Sequence, residues 1–166
     1  GEYKMANVYQ FTETLPRLYY SENIKIISNQ IDQFDFFNSN KFDPGIVSIV
    51  DREIDSIQYD FNSYAEIINW SPDKIEIDAT TNSNQLLILS EIYYPDGWRL
   101  TSHPDWDIIK VNNILRGIII PKGEHHIIME FTPTDIFYGS VITWSSSIVI
   151  LIIILIGNFI KYTKNE

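Results

Sequence analysis

The most regular alternation of apolar and polar positions lies mid-chain. In KIEIDA, residues 74–79, Ile75, Ile77 and Ala79 alternate strictly with Lys74, Glu76 and Asp78. A period of two puts the first set on one face of a strand and the second on the other, which predicts a half-buried β-strand. The run YAEIINW, residues 64–70, precedes it across Ser71-Pro72-Asp73, a turn composition. LLILSEIYY, residues 86–94, is apolar on both faces at its start, as a central strand would be. ILRGIII (114–120) and EHHIIMEF (124–131) flank Pro121-Lys122-Gly123, which reads as a hairpin loop with glycine where φ is positive. In the second of these runs His125, Ile127, Met129 and Phe131 share one face, and His126, Ile128 and Glu130 the other. Upstream, RLYYSENIKII (17–27) and GIVSIV (45–50) read as strands. Between them Ile31, Phe34 and Phe37 have the spacing of a short amphipathic helix. Strands separated by turn residues at short intervals predict a mainly β fold, an antiparallel, jelly-roll-like sandwich with one short helix.

The C-terminal pattern is different. No charged residue occurs from Ile136 to Ile160, a run of 25 residues. At about 1.5 Å per residue this crosses a ~30 Å hydrocarbon core as a helix. Thr134 or Asp135 can cap its start, just after Pro133. The run from Ile148 to Ile156 has no polar face, which argues against a buried globular helix. Three segments follow: a sandwich over 1–134, a transmembrane helix over 135–161 and a tail over 162–166. Lys161 and Lys164 follow the span and Asp135 precedes it. The positive-inside rule therefore puts the tail in the cytoplasm and the sandwich outside. Within the span Gly139, Thr143 and Ser147 recur every fourth residue, with Ser140 and Ser146 nearby. Small residues on one face suit close packing against another transmembrane helix, though Ser and Thr are also tolerated singly. Trp144, deep in the span, reads as packed against protein or lipid.

Composition narrows the classes. With 45% hydrophobic and 20% charged residues in 166, the chain can build a core. It has no cysteine, which excludes disulfides and cysteine-based metal or nucleophile chemistry. The net charge is −10. Without Lys161, Lys164 and Glu166, residues 1–135 hold 10 Lys and Arg against 21 Asp and Glu, net −11. So acidic a domain is a poor partner for nucleic acid or an anionic surface. Nothing after Gly1 resembles a signal peptide. An external domain then requires that the chain be cut from a longer membrane protein; a tail-anchored protein facing the cytoplasm is the competing expectation.

Several stretches, in order, resemble the C-terminal part of the YfhO family of bacterial multi-pass membrane proteins. They are Leu15-Pro16-Arg17 before a strand, Phe42-Asp43-Pro44 after the short helix, LLILSEIYYPDGW (86–98), and VNNILRGIIIPKGEHHI (111–127), with a transmembrane helix closing the chain. Asp96 stands between Pro95 and Gly97, where the family has Pro-Gly directly, and SHPDWDIIKV (102–111) replaces an Asp-Gly-Lys turn. The resemblance implies further transmembrane helices upstream, contacts with those helices and with the lipid bilayer, and a bacterial cell-envelope location. It also implies kinship with membrane glycosyltransferases that use polyprenyl-phosphate sugars. Their catalytic acid lies in an early external loop, so no catalytic residue carries over and this part is expected to be accessory or acceptor-binding. A non-catalytic carbohydrate-binding module and a structural or assembly protein anchored by its tail are the alternatives.

No cofactor is expected, and the candidate chemistry is sparse. His125 and His126, adjacent in a strand, point to opposite faces, and His103 sits in a loop beside Pro104. No metal-ligand spacing, nucleophile elbow or phosphate-binding loop accompanies them. What remains is an aromatic cluster. Tyr93, Tyr94, Trp98 and Trp106 could stack on a cell-surface glycan or a polyprenyl-phosphate sugar, with Arg116 or Asn112 hydrogen-bonding to it. The competing reading is a sheet corner, with Tyr93 and Tyr94 on opposite faces, Trp98 closing the turn over the core and Arg116 paired with Glu91.

Overall fold

The computed structural model describes residues 14–54 and 57–163. Among these residues ten strands form two sheets. In the first, β1 (Leu18–Tyr20), β6 (Gln85–Ile92), β9 (Leu115–Ile120), β8 (Ile108–Val111), β3 (Val47–Val50) and β2 (Asn23–Ile26) lie in that order. In the second the order is β4 (Tyr64–Ser71), β5 (Lys74–Thr81), β10 (Gly123–Phe131) and β7 (Trp98–Leu100). Two helices complete the fold, α1 (Gln30–Phe37) and α2 (Thr134–Thr163). The tail from 164 to 166, including Lys164 and Glu166, lies outside the described residues, as does 1–13.

The expected sandwich is present, and its interior follows the alternation. Ile75, Ile77 and Ala79 of β5 and Ile127 and Met129 of β10 meet Leu87 and Leu89 of β6 and Ile118 and Ile120 of β9. All are buried, Ile77, Leu87, Ile118 and Met129 completely. At roughly 1.5–3 kcal/mol per buried aliphatic side chain, this layer is the main attraction between the sheets. β4 and β5 form the hairpin that Ser71-Pro72-Asp73 predicts, with a bulge at Ile68 that keeps Trp70 opposite Ile75.

Three details depart from the pattern. First, β9 and β10 are not a hairpin: β10 pairs with β5 and β7 in the other sheet. Pro121-Lys122-Gly123 is an inter-sheet corner, with Gly123 at φ +139°. Second, β2 runs parallel to β3, because α1 makes a crossover between them. Third, α1 is helical as expected, with the Asn29 side chain accepting from Ile31 N–H at its start, but its apolar stripe is not its buried face. Ile31 and Phe34 are exposed, while Gln33 is buried and donates to the Ile27 carbonyl at 2.6 Å.

The run 17–27 is two strands, and that break shapes the sheet. Only Ser21 and Glu22 separate β1 from β2, yet these occupy opposite edges. Across a flat sheet the edges would stand about 24 Å apart. Three residues of chain reach at most about 11 Å. The sheet must therefore roll on itself. Inside the roll a second cluster forms from Leu86, Ile88, Ile109, Val111 and Val50. Gly117 of β9 permits the tight approach: a Cβ there would fall 2.4 Å from the Val111 side chain.

The α2 segment Thr134–Gly157, 24 residues with none buried, is long and apolar enough to cross a membrane. The Ser and Thr hydroxyls from Ser140 to Ser147 are satisfied within the helix. Ser140, Thr143, Ser145, Ser146 and Ser147 each donate to the carbonyl four residues back, at 2.7–2.8 Å. Only Thr132 and Pro133 separate β10 from α2.

Candidate functional site

The strand β6 ends at Ile92, and the chain leaves the first sheet to start β7 in the second. A bulge between Leu89 and Ile92 turns Glu91 out of the regular ladder. Tyr93 N–H donates to the Ile114 carbonyl at 2.7 Å, which fixes the exit. Because the strand has ended, Tyr93 and Tyr94 do not alternate across a sheet. Both line one open groove of about 510 Å³, together with Trp98, Arg99, Trp106 and Asp107. Its size is within the range of small-ligand sites.

Trp98 serves the core and the groove together. It is half-buried and packs against the inter-sheet core, with its ring centroid 5.5 Å from that of Phe131. The Arg116 guanidinium lies 4.1 Å from the Trp98 centroid on the ring face, a cation–π contact. The preceding Gly97 is necessary at this corner, since a Cβ would lie 2.2 Å from the Phe131 ring. Asp96 is exposed at the tip, and Trp98 folds inward beside it.

Arg116 therefore holds Trp98 in place and does not line the groove. It is 4% exposed. Its Nε–H donates to the Ile92 carbonyl at 2.9 Å, and its Nη2 lies 3.8 Å from Glu91. The predicted pairing with Glu91 is present, but Glu91 is held more closely by Arg17, whose Nε–H donates to it at 2.8 Å. Burial lowers the Arg116 pKa, with Glu91 opposing that shift. Arg17 in turn lies 4.7 Å over the Trp70 ring. A chain of contacts thus runs Trp70–Arg17–Glu91–Arg116–Trp98–Phe131 across one mouth of the sandwich. Both Trp70 and Trp98 sit at inward-facing register positions, opposite Ile75 and Phe131 respectively.

At the other end of the groove, Trp106 stacks on His103 with centroids 4.1 Å apart and meets the His125 edge at 5.1 Å. Each histidine is engaged by neighbouring groups. The Pro121 carbonyl can only accept, so His125 Nε2 carries the proton in their 2.9 Å bond. His126 lies on the opposite face, with Nδ1 2.7 Å from Asp78. Desolvation first, then the neighbouring His125, lowers the His103 pKa. Among the described residues no three His, Asp or Glu side chains converge on a possible metal position.

The structure does not bring Asn112 to the groove. It sits at φ +47° in the β8–β9 turn, and its Oδ1 accepts from Ile49 N–H at 2.8 Å. The hollow it borders is apolar, lined by Phe34, Phe42 and Ile114 among others. Arg99, Thr101 and Asp107, which do line the groove, carry no signal in the sequence; the pairing of β7 with β10 places Arg99, opposite Glu130. No family model, curated protein or solved structure matches the chain.

Proposed function

We propose that the sandwich is an accessory, extracytoplasmic domain of a YfhO-like bacterial multi-pass membrane protein, and that its aromatic groove takes an acceptor glycan of the cell envelope. In this reading α2 crosses the membrane with its C-terminus in the cytoplasm, and sugar transfer from a polyprenyl-phosphate donor belongs to helices and loops upstream. The observation that carries the glycan reading is the groove itself, in which Tyr93, Tyr94, Trp98 and Trp106 line one surface beside Arg99 and Asp107. Aromatic faces suit the C–H face of a sugar ring, and the flanking charged groups suit its hydroxyls. The ordered resemblance over most of the chain supports the membrane-protein reading, as do the two lysines after the span.

Glycan titration of the intact chain in detergent, read by tryptophan fluorescence, tests this. Envelope oligosaccharides should give a saturable change that Trp106→Ala abolishes. Absence of any response, or a response unchanged in both Trp106→Ala and Trp98→Ala, rejects glycan binding. The upstream reading frame tests the remainder: many hydrophobic spans support a multi-pass protein, and an immediate start codon supports a tail-anchored one.

A further inference from the structure

Exposed apolar residues lie at both ends of the sandwich, Phe61 at 79% and Tyr64 at 58% at the end that carries Asp60 and Glu124, and a larger set at the end that leads into α2. Phe131 closes β10, two residues before α2. Trp98 pairs with Phe131, and Phe131 N–H donates to the Asp73 carbonyl in the β4–β5 turn. Trp70, four residues before Lys74, therefore lies at this end, as do Tyr94 and the exit from β6. On the first sheet Ile92 pairs with Leu115, which places the β8–β9 turn with Ile114 at the same end. Ile92 is 73% exposed, Ile114 59%, Trp70 50% and Tyr94 46%. Phe34, half exposed, adjoins Ile114 across the apolar hollow of about 360 Å³.

Isolated exposed apolar residues are ordinary on a protein surface. A set collected beside a membrane-length helix, on four separate segments, is different. That end also leads directly into the membrane-length helix. Three steps of chain, from Phe131 to Thr134, span at most about 11 Å, so this end of the sandwich is the one tethered close to the start of α2.

We propose that this rim is a lipid-contacting surface: Ile92, Ile114, Trp70 and Tyr94 rest in the headgroup region of the bilayer that α2 crosses. The proposal rests on the membrane-spanning reading of α2. The chemistry fits a zwitterionic interface. Trp and Tyr rings favour that layer, having an apolar body and a polar edge. Arg17, stacked on Trp70, lies at this end as well, with its guanidinium paired to Glu91. Asp73 and Asp96 occupy exposed turns at the same end, in a layer that still holds water. The opposite end, which carries Asp60 and Glu124, faces away. Such a contact would keep the Tyr93–Trp98 end of the groove at the membrane surface and the Trp106 end above it.

The absence of cysteine makes site-directed spin labelling direct. Single labels at Ile114→Cys, Ile92→Cys, Glu124→Cys and Ile148→Cys are compared in the intact chain reconstituted in phosphatidylcholine nanodiscs. Power saturation is read with oxygen and with a water-soluble nickel chelate. The expected result is a severalfold higher oxygen-to-nickel accessibility ratio for the Ile114 and Ile92 labels than for the Glu124 label, with the Ile148 label deepest. Rim labels as nickel-accessible as Glu124, with Ile148 still in lipid, overturn the rim contact while sparing the span. Rim labels shielded from both reagents show that protein covers the surface, which also overturns it. An Ile148 label open to nickel removes the span and the rim contact together.

Discussion

The sandwich and α2 hold the same kinds of apolar side chains in opposite environments. Ile77, Ile118 and Ile127 in the sheets are fully buried, whereas Ile150, Ile153 and Leu155 in α2 are 58%, 62% and 59% exposed. The hydroxyls differ in the same sense. In the sandwich some reach across the fold, Thr81 to the Pro121 carbonyl and Ser83 to the Gln58 carbonyl, as none of the α2 hydroxyls from Ser140 to Ser147 does. In α2 all five described Ser and Thr hydroxyls from Ser140 to Ser147 turn back onto their own helix. A sandwich in water must find apolar partners and may leave polar groups to solvent. A helix in lipid needs no apolar partner and must satisfy its polar groups itself. Between the two lies the mouth of the sandwich, where Trp70, Arg17, Glu91, Arg116 and Trp98 mix both strategies.

Truncation separates the two regions most sharply. Ile77→Ala leaves a cavity at a fully buried site and should lower sandwich stability by about 3 kcal/mol. Ile153→Ala should leave the denaturation midpoint of the sandwich in place; a shift as large as that of Ile77→Ala would mean α2 packs on the domain. A charge reverses the sensitivities. Leu151→Lys should cost about 3 kcal/mol of membrane insertion, seen as a shift from the floating to the soluble fraction in a lipid gradient. Its sandwich should unfold as before.

The mouth should respond to charge and packing together. Glu91→Ala strips the buried Arg116 of its counter-charge and should cost about 2 kcal/mol. Adding Arg116→Met should recover much of that loss in chemical denaturation, because a thioether needs no partner there. Failure of the second substitution to recover stability would show that Glu91 acts mainly through Arg17. Inside the rolled sheet, Gly117→Ala should cost about 1–2 kcal/mol by pressing on Val111.

The smallest effect is with pH. His103 has its folded pKa depressed below the ordinary 6.5, by burial first and then by His125. The unfolded chain then binds the proton more readily, so stability is full above that value and declines as pH falls through it. Denaturation midpoints should drop modestly between pH 7.5 and 5.5, above the carboxylate range, and His103→Gln should flatten that slope.

Periodicity and composition alone determine the half-buried strand β5, its hairpin with β4 and the membrane-length helix. Each depends only on a local rule, either alternation on a pleat or a charge-free run longer than a bilayer is thick. The aromatic part of the candidate site is legible for a similar reason, since Tyr93, Tyr94, Trp98 and Trp106 cluster near one strand end. The rest depended on which strands are neighbours. Asn112 goes to the far side of the β8–β9 turn because its side chain binds the Ile49 amide. Arg116 goes beneath Trp98, Gln33 goes inward where Ile31 was expected, and Pro121–Gly123 joins sheets instead of strands of one sheet. Local sequence sets which face of a strand is apolar. It does not set which other strand that face meets, because pairing energy depends on contacts between residues far apart in the chain. The rolled sheet, the closed mouth and the crowded rim are properties of those contacts.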